Sequence, residues 1–245
     1  MQTLDEFFSL AEQGRRLFEE GRHQEALDRF ELALQHSDDA SPTAISDVLR
    51  CVGKIYNELR DFDDAIAYYS RLLSACTSVD GKPIILNRLG LLHQAKRDYE
   101  KALEYGVQCL AVCRELGNRR WEAVTLRNLG RLHSILGNHV KALKCHEESL
   151  RLKRELGDKV GEATSLLYLA GDYEDAGMFD EAIEKLQAAL EIYEELGLSE
   201  QVEHVLDDID RLEDLKDQFL EEEEFLVRGT RSPRISGHDF FTRFA

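Results

Sequence analysis

The sequence predicts an all-α fold, a right-handed superhelical solenoid of five helical hairpins with a C-terminal capping helix, and three observations predict it. A short signature recurs five times: Ala26, Ala65, Ala102, Ala142 and Ala182 stand in phrases such as Glu25-Ala-Leu and Lys101-Ala-Leu, at spacings of 39, 37, 40 and 40 residues. Further registers hold in every copy. Counting back twelve residues gives Gly14, Gly53, Gly90, Gly130 and Ala170; counting back sixteen gives Leu10, Leu49, Leu86, Leu126 and Leu166; counting forward eight gives Leu34, Leu73, Leu110, Leu150 and Leu190. Glycines supply the third observation, because they fall where helices must stop. Gly137 and Gly177 lie inside copies, while Gly117, Gly157 and Gly197 lie between them, as C-terminal helix stops require.

Two small residues twelve apart, with apolar residues at helical spacing around both, describe two antiparallel helices whose backbones approach where side chains are missing. Each copy therefore reads as a hairpin, over about residues 4–38, 43–78, 81–116, 120–156 and 160–196. A lone hairpin cannot bury its apolar stripe, so neighbouring copies must stack around a continuous core. From Ser199, Val202, Val205, Leu206, Ile209, Leu212, Leu215, Phe219 and Leu220 recur at three and four residues. They mark one more amphipathic helix over 199–226, with an acidic outer face and no partner hairpin, which suits it to cover the end of the array. Beyond it, Gly229, Pro233 and Gly237 interrupt the pattern, and residues 227–245 read as a flexible, arginine-containing tail.

This pattern resembles the tetratricopeptide repeat. Leucine stands at the family's usual tryptophan place, Leu129-Gly130 at its Leu-Gly step, Tyr56, His93, His133 or Tyr173 at its tyrosine place and Ala142 at its small one. The period of about 40 residues, longer than the usual 34, and phrases such as Asn128-Leu-Gly and Leu136-Gly-Asn-His are similar to the long-period subtype in the Partner of Inscuteable (LGN) family of polarity scaffolds. The resemblance implies a protein-interaction module. It also implies that the first helix of each hairpin lines a concave surface, where an asparagine at the place of Asn128, flanked by arginines, holds extended peptides.

Composition narrows the class. No run of about 18 apolar residues exists, and the start, Met1-Gln-Thr-Leu-Asp-Glu, lacks the basic region of a signal peptide, so a soluble, cytoplasmic protein without membrane insertion is expected, with cytoskeletal association as one setting. Five cysteines spread through the repeats do not form a secreted disulfide framework. Cys109 and Cys113 share a helix face, but Cys109 takes a register filled elsewhere by Ala33, Leu72, Ser149 and Ala189, so it reads as a core thiol. His93 and His133 take the places of Tyr56 and Tyr173 and read as packing rings. No metal, no cofactor and no catalytic constellation is expected: the sequence has no phosphate loop, Gly-x-Ser-x-Gly, His-Glu-x-x-His or Cys-x-x-Cys.

The net charge is -17, and its distribution carries more information than its size. Residues 200–224 hold twelve acids against Arg211 and Lys216, whereas residues 225–245 hold four arginines against Asp239. Such an acidic chain disfavours nucleic acid as a partner and suits protein partners. The outward positions of the first helices invert this balance, with six basic residues and one acidic among fifteen. The peptide-binding candidates are Arg15, Arg50, Lys54, Asn87, Arg88, Arg127, Asn128, Arg131 and Tyr168. Arginine forks match carboxylates and asparagine amides match peptide backbone, so the expected function is a non-enzymatic adaptor holding an extended, acidic peptide. A structural subunit of a cytoskeletal, ciliary or transport assembly is the alternative. In the tail, Arg231-Ser-Pro-Arg makes Ser232 a candidate phosphorylation site, and residues 221–245 are expected to be able to fold back on the basic strip. The final Phe240-Phe-Thr-Arg-Phe, apolar and basic, is a candidate docking segment.

Overall fold

The computed structural model describes residues 2–37, 39–59, 62–75 and 81–229, and all regular structure among them is α-helical. The helices are α1 (Gln2–Glu19), α2 (His23–Gln35), α3 (Pro42–Leu59), α4 (Phe62–Ala75), α5 (Lys82–Ala95), α6 (Tyr99–Glu115), α7 (Arg119–Ile135), α8 (His139–Glu155), α9 (Lys159–Asp175), α10 (Phe179–Glu195) and α11 (Ser199–Gly229). The all-α class read from the sequence is the class observed. The chain forms two compact units that meet in sequence at Tyr168 and Leu169, within α9.

Helix boundaries follow from local chemistry. The loop before α7 shows the pattern: Gly117 takes φ +63°, its N–H donates to the Arg114 carbonyl, and Asn118 N–H reaches back to the Cys113 carbonyl. This closes the last turn of α6 and satisfies carbonyls that the helix leaves unpaired. The Asn118 side chain then accepts from Trp121 N–H at 3.2 Å and caps α7, as Asp98 caps α6 from Lys101 N–H and Asp158 caps α9 from Gly161 N–H. After α5 the same backbone turn is made by Arg97, at φ 61°.

In the first unit the pairs α1/α2, α3/α4, α5/α6 and α7/α8 pack as hairpins, and α4 meets α5 and α6 meets α7. The signature alanines Ala26, Ala65, Ala102 and Ala142 are fully buried. The glycine twelve residues before each one admits a side chain from the partner helix, four residues beyond the alanine. A Cβ at Gly14 would stand 2.6 Å from the Phe30 ring, and one at Gly130 would stand 2.3 Å from His146 Nε2. In the third copy that later position is itself Gly106, and Leu129 of α7 fills the space. Core packing runs from Phe7, Phe30, Ile45, Leu49 and Tyr69 to Ile85 and Leu89, then through Leu86 with Cys109 and Cys113 to Ala123, Leu126 and Leu152.

The cysteines and histidines fall into this packing. Cys109 is buried, its thiol donates to the Pro83 carbonyl at 3.2 Å and faces Thr125 Oγ1 at 3.2 Å. Hydrogen bonding with Cys113 and burial together hold the Cys109 thiol above the ordinary thiol range. His93 is buried and stacks on Tyr105 with ring centroids 5.4 Å apart. Among the described residues no group of three or more His, Cys, Asp or Glu side chains is placed to hold a metal ion, and no helix is long and apolar enough to cross a membrane.

Hairpins are tied to their successors by buried carboxylates 40 residues apart. Glu122 of α7 accepts from Arg114 Nε of α6 at 2.9 Å and from Arg119 at 3.1 Å. Glu162 of α9 accepts from Arg154 Nε of α8 at 2.8 Å and from Lys159 at 3.3 Å. One period further on, the same places hold Glu194 and Val202, so no such pair can form.

In the second unit, α11 packs against α10. Val205, Ile209 and Leu212 are buried, Arg211 forms a bidentate pair with Glu174, Lys216 pairs with Asp180 and Phe219 meets Phe179 edge to face at 5.9 Å. The helix is uninterrupted because the repeat's stop is overwritten: 40 residues after Gly177 stands Asp217, which takes the left-handed turn far less readily than glycine. Likewise Asp210 stands where Ala170 allowed close approach, and Glu222 where the signature alanine would be. A sixth hairpin is therefore blocked, and one helix runs to Gly229, three residues beyond the expected 226. Ser232 and residues 230–245 lie outside the described residues.

Candidate peptide-binding groove

A cavity of about 310 Å³ opens within the first unit, lined by Ser46, Arg50, Ile84, Asn87, Arg88, Leu91, Trp121, Val124, Arg127, Asn128, Arg131 and Tyr168. The lining comes from α3, α5, α7 and α9, the first helices of four successive hairpins. Seven of the nine residues singled out by register meet here: Arg50, Asn87, Arg88, Arg127, Asn128, Arg131 and Tyr168. Arg15 and Lys54 do not. Arg15 donates to Glu12 within α1 at 3.3 Å, and Lys54 is exposed on α3.

The polar side chains are held by one another. Asn128 Nδ2 donates to Asn87 Oδ1 at 2.7 Å, which leaves the Asn128 oxygen and the Asn87 amide hydrogens to meet a peptide backbone. Arg131 donates to Gln94 Oε1 at 2.8 Å, and Arg50 to Asp47 Oδ1 at 2.8 Å. The Arg127 guanidinium lies 6.0 Å from the Tyr168 ring centroid, within cation–π range. Tyr168 in turn stacks on buried His146 at 5.2 Å, and His146 Nε2–H donates to the Arg127 carbonyl at 3.2 Å. The room for His146 is the missing side chain of Gly130, so a repeat-defining glycine positions the wall of the groove.

Charge is one-sided. Four arginines line the cavity and no Asp or Glu does. Glu58 of α3 lies 3.5 Å from His23, and Glu174 of α9 binds Arg211. Arg127 Nε is buried and has no hydrogen-bond acceptor among the described residues, an unsatisfied donor that an anionic or carbonyl ligand would complete. The lining holds no His or Cys.

Register placed Leu91 among the outward positions of α5 but missed the rest of the apolar lining: Ile84, Trp121 and Val124. Its signal was present as helical spacing, since Trp121, Val124, Asn128 and Arg131 recur at three, four and three residues along α7, and Ile84, Asn87 and Leu91 do so along α5. The register positions begin at Asn87 in α5 and Arg127 in α7, about one turn after Ile84 and Val124 and nearly two after Trp121.

A family model described as tetratricopeptide repeat matches residues 82–155 and 134–195, and a second with the same description matches 52–77; together they span more than half of the chain. No curated protein sequence matches significantly. Among solved structures, BtubC (BKLC) from P. vanneervenii is similar with a TM-score of 0.61 at 18% identity, over 80% of this chain and 91% of that one. The nearly identical TPR-like repeats of a putative kinesin light chain from Podosopora anserina give 0.57 at 16%, over 80% and 99%. A signal transduction ATPase with a tetratricopeptide repeat sensor from Pyrococcus horikoshii gives 0.66 at 16%, over 93% of this chain and 36% of that chain. At these identities the likeness is one of fold. With the hairpins, the signature alanines and the family matches in agreement, the chain belongs to the tetratricopeptide-repeat family.

Proposed function

We infer that this protein is a non-enzymatic interaction adaptor that holds an extended, acidic peptide segment of a partner protein in the groove of its first unit. One observation carries the reading: Arg50, Arg88, Arg127 and Arg131 line a single cavity that contains no carboxylate, in a chain whose net charge is -17. Guanidinium forks give charge-assisted, geometrically specific bonds to carboxylates. The Asn87–Asn128 pair supplies backbone contacts, and Ile84, Leu91, Trp121 and Val124 supply apolar surface for side chains between the acids. Tetratricopeptide repeats support protein partners, and the 40-residue period supports the long-period subtype seen in polarity scaffolds.

The protein's single tryptophan, Trp121, lies in the lining, so occupancy is readable by its fluorescence. Acidic peptides selected by display on the full chain should change Trp121 emission, bind more weakly as salt is raised, and lose at least about tenfold in affinity with Arg127→Glu, the equivalent of about 1.4 kcal/mol. A display that returns no acidic peptide, together with copurification in a stoichiometric complex, would favour the structural-subunit reading instead.

A further inference from the structure

A second surface lies in the other unit, where α10 turns into α11. An apolar groove of about 430 Å³ is lined by Gly197, Leu198, Ser199, Val202 and Leu206, with Glu194, Glu203 and Asp207 at its rim. It exists because the repeat is broken here. Glu194 and Val202 occupy the places of the Arg–Glu ties that join the preceding hairpins, and among the described residues no further helix covers Leu206, which is 44% exposed, whereas Leu166 one period earlier is buried. From this groove an exposed stripe runs along α11 through Asp210, Glu213 and Asp217 to Leu220, all on one face by helical spacing. Arg211 and Lys216, the cations of α11 between 199 and 220, are engaged with Glu174, Asp208 and Asp180.

We propose that this groove is the docking site of the chain's own C-terminal segment, with Phe240, Phe241 and Phe244 against Val202 and Leu206, and Arg243 at the carboxylate rim. Three properties select that occupant. Residues 230–245 carry Arg231, Arg234 and Arg243 against Asp239, opposite in sign to the stripe they would retrace. The segment's aromatic cluster matches an apolar floor bounded by acids. Its length also fits: Leu206 lies about 35 Å from Gly229 at 1.5 Å per helical residue, and the residues from 230 to Phe240 reach about 36–40 Å when extended. This inference is independent of the acidic-peptide reading, since it concerns different residues and the opposite charge.

The test uses the full chain with its phenylalanines replaced by 4-fluorophenylalanine, the tail signals being assigned by single Phe240→Leu, Phe241→Leu and Phe244→Leu variants. The tail signals should be shifted from the free amino-acid position. They should return to it in Leu206→Glu and in Val202→Glu, while the signals of buried Phe7 and Phe30 stay in place and report an intact fold. Tail signals at the free position in the unaltered chain would overturn the proposal. So would tail signals that remain shifted in both groove variants, which would return the tail to the basic groove expected from sequence. Shifts that vanish on dilution as a dimer dissociates would also overturn it, by showing that the occupant is a second copy's tail.

Discussion

Single positions in this protein act by what they leave out. Gly130 and Gly171 both sit inside first helices, yet a Cβ at Gly130 would meet His146 Nε2 at 2.3 Å, while at Gly171 it would meet nothing within 4 Å. Replacing glycine by alanine favours a helix by about 1 kcal/mol, so Gly171→Ala should stabilise by about that amount. Gly130→Ala should instead cost about 1–2 kcal/mol, because overpacking outweighs propensity. Urea unfolding of the two variants checks the contrast, and a loss at Gly171 would remove the distinction. Displacing His146 also unseats Tyr168 and the Arg127 carbonyl, so Gly130→Ala should weaken peptide binding. Arg97 makes the opposite point: a non-glycine side chain at φ 61° is held in the left-handed region, at a cost of about 1–2 kcal/mol. Arg97→Gly should raise stability by about 0.5–1 kcal/mol, net of glycine's greater unfolded entropy. An unchanged urea midpoint would contradict it.

Between helices, the buried carboxylates set the response to pH. Burial opposes the charge of Glu122, but hydrogen bonds from Arg114 and Arg119 outweigh it and hold the carboxyl below its usual range. Burial likewise opposes Glu162, which Arg154 and Lys159 hold low, while the Lys153 hydrogen bond holds Asp158 low against burial. Groups depressed on folding stabilise above their unfolded pKa and lose that contribution as pH falls through the folded value. Loss from these three should therefore begin near pH 4 and deepen below it. His133 is depressed by burial and by Lys141, so the fold prefers its neutral ring, and stability should begin to fall already below about pH 6.5. Two acid phases are thus expected in the urea midpoint between pH 7 and 3, and Glu122→Gln should flatten the lower one. A profile level down to pH 5 would refute the His133 assignment.

Across the whole molecule, the hairpins of the first unit contact chiefly their neighbours, a quasi-one-dimensional arrangement in which unfolding can be local. Trp121 is the single tryptophan and lies in the first unit, whereas far-UV circular dichroism reads every helix. Urea transitions followed by the two signals should therefore not coincide. Superimposable curves would show instead that all repeats unfold as one cooperative block. The charge pattern also belongs to this scale: four arginines gathered in the first unit's groove and a run of carboxylates along α11 give one chain two surfaces of opposite preference.

The sequence by itself determined the helices, their pairing and their ends, because a 40-residue period, small residues at fixed offsets and left-handed glycine stops are each local instructions that survive without neighbours. It also assigned Cys109 and His93 to packing, and it named Arg88, Arg127, Asn128 and Arg131, since residues that break a repeat's pattern are visible against it. Tertiary structure alone decided which candidates meet. It joined Arg50 to Tyr168 across four first helices and left Arg15 and Lys54 outside. It brought Ile84 in from one turn upstream and Trp121 from nearly two, and it placed His146 behind Tyr168 through the gap at Gly130. Register measures distance along the chain, whereas a groove is set by which side chains from different helices converge, and that depends on how closely the backbones approach.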